Sequence, residues 1–146
     1  MERTQATEEI EFAKLESLAD VQAAVDEATS HRNAIILVHV DWAPMHLQRQ
    51  RFAEFKRAYK VKYPERELAF RYIDCTAVTE GYEPLRSLPG WKELEQSNGA
   101  SLVHGYGELA WVRNGRVLHV ESPLNFASAD ELIERTQSLE MVGIAE

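Results

Sequence analysis

The sequence predicts a single α/β domain built on a mixed β-sheet, and two stretches of the chain carry this prediction. Residues 34–42, AIILVHVDW, form a short and nearly continuous apolar run, which is typical of a strand buried on both faces of a partly parallel sheet. Residues 108–112 and 116–120, ELAWV and RVLHV, flank Asn114-Gly115. An Asn-Gly pair between two apolar alternations is the strongest short-range indication of an antiparallel hairpin. A length of 146 residues fits one such domain.

The first part of the chain predicts a strand and then a helix. Residues 10–15 form the candidate first strand, and Ser17 stands where a helix N-cap is expected. Apolar side chains then recur at helical spacing, at Leu18, Val21, Val25 and Ala28. The helix is predicted to end near His31.

The middle of the chain predicts a second helix and another strand. Pro44 is expected in the first turn of this helix, because its fixed φ suits that position, and the helix is expected to stop before Pro64. Its core stripe consists of Phe52, Phe55 and Tyr59. Residues 67–74 alternate as a strand does, with Leu68, Phe70 and Tyr72 on one face and Ala69 and Ile73 on the other.

Glycine and proline punctuate the later part of the chain. Residues 76–90 are predicted to form a long loop or a short interrupted helix. A brief helix over 91–96 is expected to end at Asn98-Gly99. Ser128 and Glu131 form a capping box that opens the last helix. The inward side of that helix is predicted to carry Leu132, Ile133, Thr136 and Leu139.

Composition narrows the possible functions. Cys75 is the single cysteine, so the chain has neither an internal disulfide nor a cysteine-based zinc site, and we expect a cytoplasmic location. A formal net charge of -8 argues against general nucleic-acid binding, which needs Lys and Arg to neutralise phosphates. No apolar stretch is long enough to span a bilayer, so we expect no membrane partner. The basic residues between Arg49 and Lys62 are interpreted as a solvated helix face.

The predicted order is strand, helix, buried strand, helix, strand, irregular helix, hairpin and helix. Trp42-Ala43 follows the buried strand and precedes the basic helix, and residues 112–115, VRNG, form the hairpin turn. In this order and in these two motifs the chain resembles the thioredoxin family. The resemblance implies a three-layer fold over residues 10–140, with a central mixed sheet and helices on both faces. Residues 1–9 are then a flexible N-terminus, and residues 141–146 are a C-terminal tail.

The resemblance also implies a redox dithiol just after Trp42, and the sequence departs from it there. His46 and Arg49 occupy the two cysteine places on one alignment, and Leu47 and Gln50 occupy them on an alignment shifted by one residue. With one cysteine in the chain, intramolecular dithiol chemistry is excluded. The family's cis-proline, which shapes its peptide-binding groove, is matched by Gly107, where a pre-set cis turn is not expected.

These observations favour a non-redox thioredoxin-like domain that holds a protein or peptide partner. The loops that adjoin each other in a thioredoxin fold supply the candidate binding residues: Trp42, Pro44, Met45, His46, Tyr106 and Gly107. Aromatic side chains are enriched among the residues that dominate binding energy at protein interfaces. We assign no catalytic residue, metal or cofactor, and the sequence predicts no particular oligomeric state.

Other interpretations remain open. Cys75 is a possible redox thiol that forms mixed disulfides with a partner, although a free cysteine more often packs as a small hydrophobe. His39, Asp41 and His46 form a possible divalent-metal set, but their spacing matches no named zinc motif. His46 is also a possible general base. Self-association of the basic helix with the acidic chain ends is a further possibility, and salt would weaken it.

Overall fold

The structure is a computed structural model that describes residues 15, 17–40, 44–79, 82–99, 102 and 107–139. These residues form four α-helices and four strands: α1 (Leu18–Thr29), β1 (Asn33–His39), α2 (His46–Lys62), β2 (Ala69–Asp74), α3 (Trp91–Asn98), β3 (Leu109–Arg113), β4 (Arg116–Glu121) and α4 (Ala129–Ser138). Short 3-10 segments lie at Thr76–Val78, Leu85–Ser87 and Pro123–Asn125. Among the described helices, none is both long and apolar enough to cross a membrane.

The four strands form one mixed sheet in the order β2-β1-β3-β4. β1 runs parallel to β2, with His39 opposite Asp74 at the end of the pairing. β1 and β3 are antiparallel, as are β3 and β4, which are joined at Asn114-Gly115. Asn114 has φ 52° and Gly115 has φ 78°, the left-handed backbone that this pair tolerates. The predicted hairpin and the mixed sheet are therefore confirmed.

β1 is buried at all seven positions, and its side chains alternate between two hydrophobic cores. One face of the sheet packs with α1 and α3 in a core that includes Val21, Val25, Ala28, Ile36 and Trp91. The other face packs with α2 and α4 in a core that includes Leu37, Phe52, Phe55, Tyr59 and Leu132. A sheet with helices on both faces is the three-layer α/β arrangement that the family resemblance implies.

Local signals place most element ends as predicted. The Ser17 hydroxyl accepts a hydrogen bond from the Asp20 amide at 3.1 Å, and α1 begins there. The Ser128 hydroxyl accepts from the Glu131 amide, while the Glu131 carboxylate accepts from the Ala127 amide at 2.9 Å. α3 ends at Asn98 and is followed by Gly99 as its C-cap, with φ 73°.

Several predicted boundaries differ from the structure. Pro44 precedes α2 instead of lying in its first turn, because the helical bonding starts where the Arg49 amide donates to the Met45 carbonyl. β1 ends at His39, since its pairing with β2 stops at Asp74. Leu18 starts the apolar stripe of α1 but is 56% exposed, so the buried stripe begins at Val21.

The predicted first strand lies outside the described residues except for Leu15, whose amide donates to Asp74 Oδ2 at 3.3 Å. The proposed ends of the domain, at residues 10 and 140, also lie outside them. The predicted loop or interrupted helix over 76–90 holds two of the 3-10 segments and is thus irregular helix in part.

A charged pair joins α1 to the edge strand β2. Arg71 donates from Nε and Nη2 to the two carboxylate oxygens of Glu27, at 2.7 and 2.8 Å. Chiefly through this hydrogen-bonded guanidinium, the pKa of the Glu27 carboxyl falls from 4.5 to about 2. Two-point contact of this kind fixes orientation as well as charge, so the pair sets how α1 meets β2.

We predict that Glu27→Gln removes an acid-sensitive part of the stability. A carboxyl whose pKa is lower in the folded state stabilises above pH 4.5, and that contribution disappears as the pH falls towards 2. Because the Glu27 side chain is 53% exposed, the loss at neutral pH should be only about 0.5 kcal/mol. Urea unfolding at pH 7 and at pH 2.5 measures the free energy of unfolding of the variant and of the wild type, with Glu134→Gln as the control. An equal loss of unfolding free energy at both pH values would contradict the prediction.

Candidate functional site

The candidate site lies at the edge of the sheet where β1 and β2 end and β3 begins. The Cys75 amide donates to the His39 carbonyl at 2.8 Å, and the Val38 amide donates to the Glu108 carbonyl at 2.9 Å. These two backbone bonds connect the end of β1 to the residue after β2 and to the residue before β3. In open α/β sheets, ligands bind beyond the carboxyl ends of the strands, so this edge is the natural place for a site.

Met45 and Gly107 meet at this edge. A Cβ atom on Gly107 would lie 2.7 Å from both Sδ and Cε of Met45 and 3.2 Å from Cγ of Gln48. Gly107 also has φ 89°, a conformation that residues with side chains rarely adopt. Glycine is thus required here for backbone shape and for space, and the Met45 side chain fills the space that a Cβ would need.

The residues around this contact reach solvent. Met45 is buried, whereas Pro44 and His46 are exposed, and the Leu47 side chain is 52% exposed. We call Pro44, Met45, His46, Leu47 and Gly107 the loop-edge surface. Four of its five members were predicted from the sequence as binding residues. Trp42 and Tyr106, the other two predicted binding residues, lie outside the described residues.

The sequence marks Leu47 only as one of the places where the family's cysteines would lie, and not as a binding residue. A leucine in a helix predicts burial. In the structure the first turn of α2 buries Gln48 and leaves Leu47 outward. Polar residues are usually exposed and leucines usually buried, so Gln48 and Leu47 reverse the normal pattern. The rotation of α2 about its axis determines this burial, and the sequence alone does not show it.

His39 lies at the rim of the same edge and is held by Tyr72. The Tyr72 hydroxyl and the His39 Nδ1 are 2.6 Å apart, and the two ring centroids are 5.0 Å apart. The parallel pairing of β1 with β2 puts both rings on one sheet face. Within the described part of the chain no three metal-ligating side chains cluster. Asp41 lies outside that part, so the alternative of a metal set of His39, Asp41 and His46 stays untested.

Cys75 is fully buried directly after β2, in the core beneath α1 and α3. Burial, together with the negative charge of Asp74, raises the pKa of the Cys75 thiol to about 12. The Asp74 carboxylate accepts from both the amide and the hydroxyl of Thr76, at 3.1 and 2.7 Å. A thiol of this kind is protonated and covered at neutral pH, and such thiols are inert unless they are uncovered.

Glu108 is a second buried acid at this edge, directly before β3, and it is 4% exposed. Burial and, after it, the negative charge of Glu108 raise the pKa of Tyr82. The sequence gives no sign of this grouping, because a glutamate directly before an apolar strand normally faces water.

Comparison with solved structures identifies the fold. Two structures of human ERp44, forms I and II, match the chain with TM-scores of 0.56 and 0.55 at 18% and 16% identity. Both matches cover 88% of this chain and 30% of the ERp44 chain. The fold is thioredoxin-like. Oxidised thioredoxin O2 from Arabidopsis thaliana also matches, with a TM-score of 0.47, 15% identity and coverage of 88% of this chain and 93% of that one. No protein-family model and no curated protein matches the chain.

This thioredoxin-like fold has no dithiol, because Cys75 is the single cysteine of the chain. His46 and Arg49, the cysteine places on the first alignment, are exposed at the start of α2. Leu47 and Gln50, the places on the shifted alignment, are exposed in the same turns. On either alignment, side chains without sulfur therefore occupy this position and reach solvent.

We predict that Gly107→Ala lowers the free energy of unfolding by about 1–2 kcal/mol, since alanine is disfavoured at positive φ. The new methyl group should also displace the Met45 side chain, which is flexible enough to move. Gly99→Ala is a matched control, because Gly99 has φ 73° and nothing within 4 Å of the added Cβ. Urea unfolding and the NMR shift of the Met45 methyl measure the two effects. An unmoved Met45 methyl in Gly107→Ala would refute the contact.

Proposed function

We propose that the chain is a non-redox thioredoxin-like binding module, and that it holds a protein or peptide partner on the loop-edge surface. The observation that carries this proposal is the contact of the Met45 side chain with the Gly107 backbone. That contact joins two segments from different parts of the chain into one surface. The buried Met45 side chain forms the floor of this surface, and its sequence neighbours Pro44, His46 and Leu47 are exposed.

The chemistry of this surface suits a partner that presents apolar side chains and a few polar groups. Leu47 and Pro44 offer apolar contact without many rotatable bonds, and His46 offers a hydrogen-bonding ring. Trp42 and Tyr106 adjoin these residues in sequence and belong to the same proposal. The proposed module acts by binding alone, with no catalytic residue and no cofactor, and a cytoplasmic location stays a prediction.

A redox role for Cys75 is the alternative, and it ranks second. Mixed-disulfide exchange needs a thiolate that a partner can reach. The Cys75 side chain is covered and its thiol has a raised pKa, so exchange would first require local opening of the core.

We predict that Cys75 reacts with an aromatic disulfide reporter at pH 7 at least about a hundredfold more slowly in the native protein than in urea. The reason is that the native thiol is buried and its pKa is about 12. The absorbance of the released reporter measures both rates. Native reaction as fast as that of the unfolded chain would instead favour the redox role.

Affinity capture tests the binding function, with Leu47→Ser as the main variant. Leu18→Ser is its matched control, because Leu18 is 56% exposed and lies on α1, which packs on the opposite face of the sheet from α2. We predict that Leu47→Ser reduces partner recovery about fivefold or more, as loss of a central apolar contact does, while Leu18→Ser leaves it unchanged. Equal recovery with both variants would remove the loop-edge surface as the binding site.

The same capture distinguishes the two functions when it is repeated with reductant and with Cys75→Ala. A non-covalent module keeps its partners under both conditions. Partners that disappear in both would be held through a disulfide, and the redox role would then replace the binding proposal.

A further inference from the structure

We propose that a basic pocket at the far end of β2 from the loop-edge surface binds a phosphate monoester group. The pocket has a volume of about 360 Å³ and lies between the second half of α2, the start of β2 and the end of α1. The ionisable side chains that line it are His31, Lys56, Lys60, Arg66, Glu67 and Arg71. This concentration of cations stands out on a chain whose formal net charge is -8.

Two lysines crowd the same wall of the pocket. Lys56 and Lys60 are four residues apart on α2, so their side chains project from one helix face. Burial lowers the pKa of Lys56, and the positive charges of Lys60 and Arg71 lower it further. The two lysine ammonium groups repel each other at this spacing. A bound anion would attract both of them and so offset their repulsion.

Two arginines are already held in place before any ligand binds. The Arg66 guanidinium carbon lies 3.7 Å from the centre of the Tyr63 ring, a stacked arrangement. Arg71 is fixed by its two bonds to Glu27. Side chains that are ordered in advance lose little conformational entropy on binding, which favours recognition of a small anion.

The charge balance of the pocket matches a dianion. Lys56, Lys60, Arg66 and Arg71 are cationic, and the carboxylates of Glu27 and Glu67 offset two of these charges. An excess of two positive charges remains with His31 neutral, and a phosphate monoester carries about -1.5 to -2 at pH 7. Leu68 and Phe70 also line the pocket and offer apolar contact to the organic part of such a ligand.

The test is an NMR titration of the full chain with inorganic phosphate at constant ionic strength. We expect saturable shifts of the backbone amides of residues 68–71 and of the Lys56 and Lys60 side chains. Lys56→Gln with Lys60→Gln should weaken phosphate binding about tenfold or more. Arg49→Gln with Arg57→Gln is the matched control, because it removes the same charge from exposed positions of α2 outside the pocket.

Glycerol phosphate and a phosphoserine peptide, titrated in parallel, distinguish a free phosphate ester from a phosphorylated protein. Tighter binding of either one than of inorganic phosphate supports the site and identifies its source. Lysines near a helix C-terminus also stabilise the helix, so urea unfolding of both double variants checks that they remain folded.

Two results would overturn the proposal. One is the absence of saturable shifts at residues 68–71. The other is equal weakening by the control pair, which would indicate a general effect of charge. Neither result bears on the loop-edge surface, which is tested separately.

Discussion

The complete burial of β1 is the constraint on which the rest of the structure depends. This strand bonds to β2 on one side and to β3 on the other, and both of its faces are covered by helices. Its backbone groups are satisfied only if both neighbours keep their register, and its side chains are covered only if both helix layers are in place. The position where β1 ends, at His39, is therefore fixed from four directions, and the candidate site begins there.

The fixed end of β1 explains why a methionine and a glycine from distant parts of the chain meet. α2 starts soon after β1, and β3 must begin beside β1 in antiparallel register. Residues just before each of these elements consequently share one edge of the sheet. Met45 and Gly107 occupy these two positions, and the close contact between them is permitted because Gly107 has no side chain.

Features encoded by a few neighbouring residues could be predicted from the sequence. Features that depend on the rotation of a helix or on contacts between distant residues could not. The apolar run of β1, the Asn114-Gly115 turn and the Ser17 cap are each encoded within a few residues, and all three are found in the structure. The exposure of Leu47 depends on how α2 is rotated against the sheet, which periodicity alone did not determine. The ion pair of Glu27 with Arg71 joins residues that are far apart in sequence, and Glu108 is buried by parts of the chain that are distant from it. No pattern along the chain indicates such contacts.

The two proposed binding regions lie at opposite ends of the same helix and the same strand, which raises the question of whether they communicate. α2 begins at the loop-edge surface with His46 and reaches the basic pocket with Lys60, and its inner face is packed through Phe52, Phe55 and Tyr59. A coupling free energy requires an element with two arrangements that each ligand favours differently. A helix anchored by three buried aromatic rings gives no sign of a second arrangement, since shifting it would break close packing along its length. The two regions should therefore act independently, and a ligand in the basic pocket should leave affinity at the loop-edge surface unchanged.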